Sequence, residues 1–368
     1  MQLSIDNHRT ALGDLSRMEC TALRGLAILA IMLHNYCHWL GGIVQENEYQ
    51  YIQGNVNGLD RVLANPDLLL PVHLISFFGH YGVPVFLFLS AYGLELKYGG
   101  NAVQPVQTIR QNARSAWHFI SYHFAKLWRM MIAGFIIFVV IDNITPGAFH
   151  YNVVRILTML GMVNNFLPNP DTQIWPGPYW YFGLMLQLYV VYRLLLYRRH
   201  WGWTVALMAV CIGIQFCFDP EGEAMNWYRY NFMGGVLPFG TGLLYARFCR
   251  QTGMNKAIWW MELIVSAFCI MELSHSEVGW TFTPMFICSF TIALIKILPT
   301  TWLKPLTWLG ALSAALFVIH PTARKIIIPI SRHGDVYTGL LLYIIVALGA
   351  AWLLRLVMTK VPKPTMKS

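Results

Sequence analysis

The sequence predicts an all-α integral membrane protein of about ten transmembrane helices with both termini cytoplasmic, and three observations carry that prediction. Hydrophobic residues make up 56% of the 368-residue chain and charged residues only 12%, against roughly a quarter charged in a soluble domain. Such a chain cannot cover its own surface with polar groups, so the expected solvent is lipid. Apolar windows of about twenty residues, the length that crosses a bilayer core, recur along it. Lys and Arg concentrate in alternate gaps between those windows: with the N-terminus inside, sixteen of the 26 fall on the cytoplasmic side, six on the outer side and four within spans. That asymmetry is the positive-inside pattern.

The windows are 22–40, 71–95, 129–145, 178–197, 201–218, 230–247, 257–273, 281–298, 306–323 and 338–358. Residues 1–21 read as a polar cytoplasmic tail without the layout of a cleaved signal peptide, so the first window is expected to be an uncleaved anchor. Residues 22–358 are expected to form one transmembrane domain and 359–368 a second cytoplasmic tail, and the expected location is the cytoplasmic (inner) membrane, as a multi-pass protein. The segment 151–166 (YNVVRILTMLGMVNNF) is too short and too polar to span, and is expected to be an interfacial or re-entrant helix. The gap 97–128 is basic and aromatic. The outer gaps are acidic or punctuated by proline, as in QENEYQYIQGNVNGLDRVLANPD and PNPDTQIWPGPYW.

The net charge of +9 is spread over short gaps rather than gathered on one face, and no nucleic-acid motif is present; nucleic acid is not an expected partner, whereas membrane lipid is. Seven cysteines, an odd number without CxxC spacing, give neither a disulfide framework nor a zinc site.

Ionisable groups inside a membrane usually face a bundle interior or a watery cavity. In LRGLAILAIMLHN, Leu23 to Asn35, Arg24 and His34 stand ten residues apart, about 15 Å along a helix and about 80° apart around it. They do not stack, but both can line one broad cavity at different depths. Arg24 reads equally well as a snorkelling anchor, and His34 as a satisfied core histidine. His38 follows His34 by one turn, yet no third metal ligand stands out, so no metal is expected. The second window, FFGHYGVPVFLFLSAYGLELKY, places His80 near the depth of His34 and Ser90 nearer the cytoplasm, with Gly79, Gly82 and Pro84 weakening the helix between. Lys126 and Arg129 share a helix face at the mouth of the third window, either as charge anchors or as a phosphate site. Trp175, Tyr179, Trp180 and Tyr181 open the fourth, as an aromatic belt or a sugar platform, and Gln187 is a mid-span polar group needing a partner. His320 lies in the outer half of the ninth.

Taken in order, these residues resemble the acyltransferase type 3 family, integral membrane enzymes that acylate extracytoplasmic carbohydrates. The resemblance rests on Leu23-Arg24-Gly25-Leu26-Ala27 through His34, on Gly82-Val83-Pro84-Val85-Phe86 with Ser90-Ala91, on Lys126 and Arg129, on Trp180 through Tyr189, and on Ser313 with His320. Departures are Thr21 where an acid is common (Glu19 stands two residues earlier), Ala91 for a glycine, no proline after the basic pair, and Gln187 for a glutamate.

The resemblance implies an acyl-CoA donor, acetyl-CoA by default, entering from the cytoplasm, and a carbohydrate hydroxyl accepting at the outer face, that is, O-acetylation of a polysaccharide or lipid-linked sugar. His34 is the expected general base, helped by Arg24. Lys126, Arg129, Ser90, Gln187 and Tyr189 are the expected donor-binding residues, and Trp180, His80 and His320 the expected acceptor-binding ones. A transporter or flippase for a lipid-linked sugar or other polar lipid would share such a cavity. It is disfavoured by the scarcity of mid-span acids, Glu262 and Glu272 falling towards helix ends.

Overall fold

A computed structural model describes residues 15–99, 108–249 and 255–365. Of the cations counted above, Arg9, Arg250 and Lys367 lie outside these residues, as does most of the N-terminal tail. The described residues are helical, with no strand among them. In order they form α1 (Arg17–Cys37), α2 (Gln53–Ala64), α3 (Leu70–Phe78), α4 (Gly82–Tyr98), α5 (Ile109–Ile144), α6 (Val153–Leu160), α7 (Pro170–Gln173), α8 (Trp180–Val191, continued by a wide turn to Leu196), α9 (Trp201–Gln215), α10 (Glu223–Tyr230), α11 (Phe232–Phe248), α12 (Lys256–Leu273), α13 (Glu277–Ile297), α14 (Thr300–His333) and α15 (Val336–Lys360).

Each expected window overlies a helix, but six helical stretches among the described residues are long and apolar enough to cross a membrane: α1, α3 with α4, α5, α13, α14 and α15. Of the other four, α8, α9 and α11 are shorter, and α12 carries Lys256, Glu262 and Glu272 within eighteen residues. Outward rows such as Ile264 and Phe268 on α12, or Leu341, Ile345 and Trp352 on α15, expose large apolar side chains that only lipid suits. The chain is a multi-pass membrane protein.

Two expected boundaries move. The basic stretch before the third window is not a loop: a capping box between Thr108 and Gln111 starts α5 at Ile109, and no proline interrupts its 36 residues. Likewise α14 runs 34 residues through Pro305, Pro321 and Pro329. The segment 151–166 gives the short α6, with Val153, Val154 and Leu157 exposed, and a single tight turn at Asn164–Phe166.

α1 is the central element. Ser16 and Glu19 cap its start reciprocally, and Glu19 also reaches Lys296 of α13 at 3.1 Å. Glu19 is thus engaged in capping and an inter-helix pair rather than with Arg24. Against α14, Gly25 and Gly310 form a close crossing: a Cβ on Gly25 would strike the Leu306 carbonyl, and one on Gly310 the Thr21 carbonyl. The second window breaks where its glycines stand, at the tight turn Gly79–Tyr81, while Pro84 sits inside the first turn of α4. A Cβ on Gly79 would lie 2.7 Å from the Cβ of His34, so this glycine lets the break press directly on the residue the sequence singles out.

Candidate functional site

Two cavities meet inside the bundle. The first, about 220 Å³, holds His34, and the second, about 290 Å³, holds Arg24. Tyr181 and Phe317 line both. Three helices run past the junction. α1 carries Arg24 at one end and His34 at the other. α14 sets Ser313, Phe317 and Arg324 along one side, and α8 sets Trp180, Tyr181, Met185 and Tyr189.

In the first cavity His34 is buried, and its Nδ1 lies 2.8 Å from the Ser76 carbonyl oxygen. A carbonyl only accepts, so Nδ1 carries the hydrogen and the lone pair rests on Nε2. That nitrogen is 3.8 Å from Oε1 of Glu46, to which His38 Nδ1 donates at 3.0 Å. The loop bearing Glu46 is pinned on both sides: Ser76 Oγ donates to the Val44 carbonyl at 2.6 Å, and the indole of Trp280 to the Asn47 carbonyl. Burial would raise the Glu46 carboxyl, but the imidazoles of His34 and His38 outweigh it and hold the group well below the usual carboxylate range. Glu48, two residues on, is pushed up to about 8, first by burial and then by Glu46.

Around these groups stand Trp39, Tyr49, Trp175, Trp180 and Tyr230, with His80 facing His34 at 5.6 Å between rings. Tyr49 stacks on Tyr230 at 3.9 Å, and Trp180 meets both edge-on. Arg324 stacks over Trp39 at 4.6 Å and donates to the Asn35 carbonyl. Flat aromatic faces beside carboxylates and imidazoles suit a polyhydroxylated ring, whose C–H face packs on the aromatics while its hydroxyls meet the polar groups.

The second cavity contains Arg24, Ser90, Lys126, Tyr189 and Ser313 among apolar neighbours. Arg24 and Lys126 are exposed, and neither has a hydrogen-bonding or ion-pair partner among the described residues. Two free cations beside hydroxyls form a site suited to phosphate or another anion.

Of the residues expected from sequence, His34, His80 and Trp180 come together in the first cavity, and Arg24, Ser90, Lys126 and Tyr189 in the second. Three line neither. Arg129 lines neither cavity and donates to the Met358 and Val361 carbonyls at the end of α15, a half-buried cation satisfying a helix C-terminus. Gln187 bridges Asn231 Oδ1 and the Phe232 amide, both at 2.9 Å, tying α8 to the start of α11. His320 is fully buried, with Nδ1 at 3.0 Å from the Leu316 carbonyl of its own helix, and sits behind Phe317 at 6.0 Å between rings.

The fold also supplies what spacing could not. Glu46 gives His34 and His38 the third ligand missing from the sequence, with one donor atom of each within 4.8 Å of the others. In sequence Glu46 reads as part of an acidic loop, Arg324 as an outer cation and Tyr181 as one aromatic of a belt or sugar platform; only the packing of α1, α8 and α14 shows them as neighbours. Glu262 lies nearly two turns inside α12 rather than towards its end. It accepts a hydrogen bond from Ser289 and lines a third cavity of about 250 Å³.

A family model described as an acyltransferase domain, of the type 3 acyltransferases, matches residues 20–356. No curated protein and no solved structure matches the chain.

Proposed function

Because the chain belongs to the acyltransferase type 3 family, we propose that it takes an acyl group, acetyl by default, from acyl-CoA at the cytoplasmic face and transfers it to a hydroxyl of an extracytoplasmic or lipid-linked carbohydrate. The observation that carries this reading is the meeting of two cavities at Tyr181 and Phe317, one with free cations and one with a histidine whose Nε2 is open to a substrate. In this reading all ten helices span, both termini are cytoplasmic, the Arg24 cavity opens inwards and the His34 cavity outwards.

Arg24 and Lys126 hold the phosphates of CoA, while Ser90 and Tyr189 guide the pantetheine arm. The sugar rests on Trp180 and its aromatic neighbours with one hydroxyl towards His34. Nε2 takes the hydroxyl proton as the oxygen attacks the thioester carbonyl. The new C–O bond forms, the C–S bond breaks, and the departing thiolate takes the proton back from the imidazolium to leave as CoA thiol. Glu46 faces the positive charge that His34 carries in between. A thioester is already activated, so the step needs no metal. Arg129 and Gln187 act at a distance, by fixing α15 and the α8–α11 junction, and His320 by backing Phe317.

The test is transfer of labelled acetyl from acetyl-CoA into membrane carbohydrate. His34→Gln, at normal protein level and with CoA still raising thermal stability, is expected to lose transfer by about 10²- to 10⁴-fold. Full retention of transfer would end the assignment of the base. Absence of any CoA-dependent stabilisation in the wild type would favour a transporter instead.

A further inference from the structure

We propose that the rings of Tyr181 and Phe317 form the constriction through which the acyl-pantetheine arm reaches His34, and that Phe317 sets the acyl chain length the protein accepts. The inference rests on the acyl-transfer reading above and adds to it the residue that measures the donor.

The geometry is specific. Of the residues around the two cavities, Tyr181 and Phe317 are the two that line both. Their rings are 5.1 Å apart and inclined at 54°. Phe86 packs on Tyr181 at 6.3 Å and Phe182 on Phe317 at 5.6 Å, so the junction is walled by aromatic side chains. The cations that would hold the donor lie on one side, and the nitrogen that would take the proton lies on the other. The highly charged end of CoA has no reason to leave Arg24 and Lys126 for an aromatic neck. Its slender, mostly uncharged arm does have one, because the thioester carbonyl must come within bonding distance of the acceptor oxygen held at His34.

Chain length follows from volume. Beyond the neck, the His34 cavity of about 220 Å³ must hold both the acyl group and part of the acceptor. Ile31, Val83 and Phe317 are the apolar walls there, and a long acyl chain would occupy the acceptor's space. A full neck also keeps bulk water from the thioester. Removing the Phe317 ring therefore enlarges the acyl space and opens a leak, in which water attacks the thioester carbonyl and releases carboxylate and CoA thiol without acylating the acceptor.

The experiment measures free thiol release and label transfer into membrane carbohydrate with acetyl-, butyryl- and hexanoyl-CoA, for wild type, Phe317→Ala and Phe317→Leu. The leucine variant keeps most of the packing should the alanine variant not accumulate. The expected result is a rise of about tenfold in the hexanoyl-to-acetyl ratio, as for a hydrophobic pocket that gains several methylenes of room. Thiol release without transfer should rise several-fold, the leucine variant lying between. Wild-type transfer of acetyl with both variants unchanged in chain preference and in coupling would overturn the inference while leaving acyl transfer intact. No thiol release by the wild type from any acyl-CoA would overturn the acyl-transfer reading and this inference together.

Discussion

Nε2 of His34 lies 3.8 Å from Oε1 of Glu46, while Nδ1 of the same ring is held 2.8 Å from the Ser76 carbonyl oxygen. One nitrogen is thereby fixed as a donor, and the other faces a carboxylate just beyond direct hydrogen-bond distance. If His34 becomes positive during transfer, Glu46 is the nearest opposite charge. Glu46→Gln keeps the shape and removes the charge. It is expected to lower kcat by roughly ten- to hundredfold, about 1–3 kcal/mol on the barrier, with the KM for acyl-CoA unchanged. An equal change in donor KM, or no change in kcat, would show that Glu46 does not act on the reacting centre.

Arg24 and Arg129 stand in different surroundings. Arg24 faces the second cavity with no partner among the described residues, whereas Arg129 is tied to the carbonyls that end α15. Arg24→Ala and Lys126→Ala should each raise the acyl-CoA KM about tenfold, the effect of one charge-assisted hydrogen bond. Arg129→Ala should instead lower the melting temperature and leave the donor KM within twofold. Steady-state kinetics beside a thermal scan reads both. A KM effect confined to Arg129 would reverse the assignment.

Much of the architecture was legible because lipid imposes a simple code. Apolar length and alternating charge located ten helical segments, and the Arg24–His34 interval placed two groups at different depths of one helix. Boundaries were less legible where no polar break marks them, as at the start of α5, whose capping box lies twenty residues before the apolar stretch. The site was half legible. His34, Trp180, Arg24 and Lys126 stand out because each is costly or unusual where it sits. Gln187 stands out equally, yet its partners Asn231 and Phe232 occupy another helix junction, and one chain position cannot reveal whether a buried amide faces a cavity or a neighbour. Glu46 and Phe317 carry no such signal, and Tyr181 only that of one aromatic in a belt or platform, since a loop acid and apolar-helix aromatics are ordinary until α1, α8 and α14 are packed.

Glu48 makes stability depend on pH in a definite direction. Burial raises its carboxyl from 4.5 to about 8 in the folded protein. The folded state therefore holds a proton that the unfolded state has released across that interval, so stability present below 4.5 is lost as pH rises through 8. Glu48→Gln mimics the neutral form and should remove this contribution. Melting temperatures of detergent-solubilised protein at pH 5, 7 and 9 test it: the variant's advantage should grow with pH and be largest at pH 9. A constant difference across the three would exclude the burial of a neutral Glu48.

His34, His38 and Glu46 can also be occupied from outside, because their donor atoms lie within 4.8 Å of one another, close enough for a zinc ion to draw them in. Zinc on Nε2 of His34 would remove the base. Micromolar Zn²⁺ should therefore inhibit transfer, EDTA should reverse the inhibition, and His38→Ala should weaken it about tenfold or more by removing one ligand. Inactivation of the untreated protein by EDTA, with recovery on added Zn²⁺, would instead make the triad a working metal site and displace His34 as base.

The crossing of α1 and α14 holds Arg24 and His34 in register with Phe317, and it depends on two glycines. A Cβ on Gly310 would meet the Thr21 carbonyl, and one on Gly25 the Leu306 carbonyl, backbone atoms that cannot turn aside. Gly310→Ala should therefore force the helices apart and destabilise by about 1–3 kcal/mol, the usual range for overpacking. Gly349 on α15 provides the contrast, since a Cβ there meets nothing within 4 Å. Gly349→Ala should leave the protein unchanged or stabilise it by up to about 1 kcal/mol, through helix propensity alone. Thermal scans of the two variants beside the wild type decide the matter. Equal melting of Gly310→Ala and Gly349→Ala would mean that the crossing is not tight, and that the alignment of His34 with the aromatic neck must be maintained by other contacts.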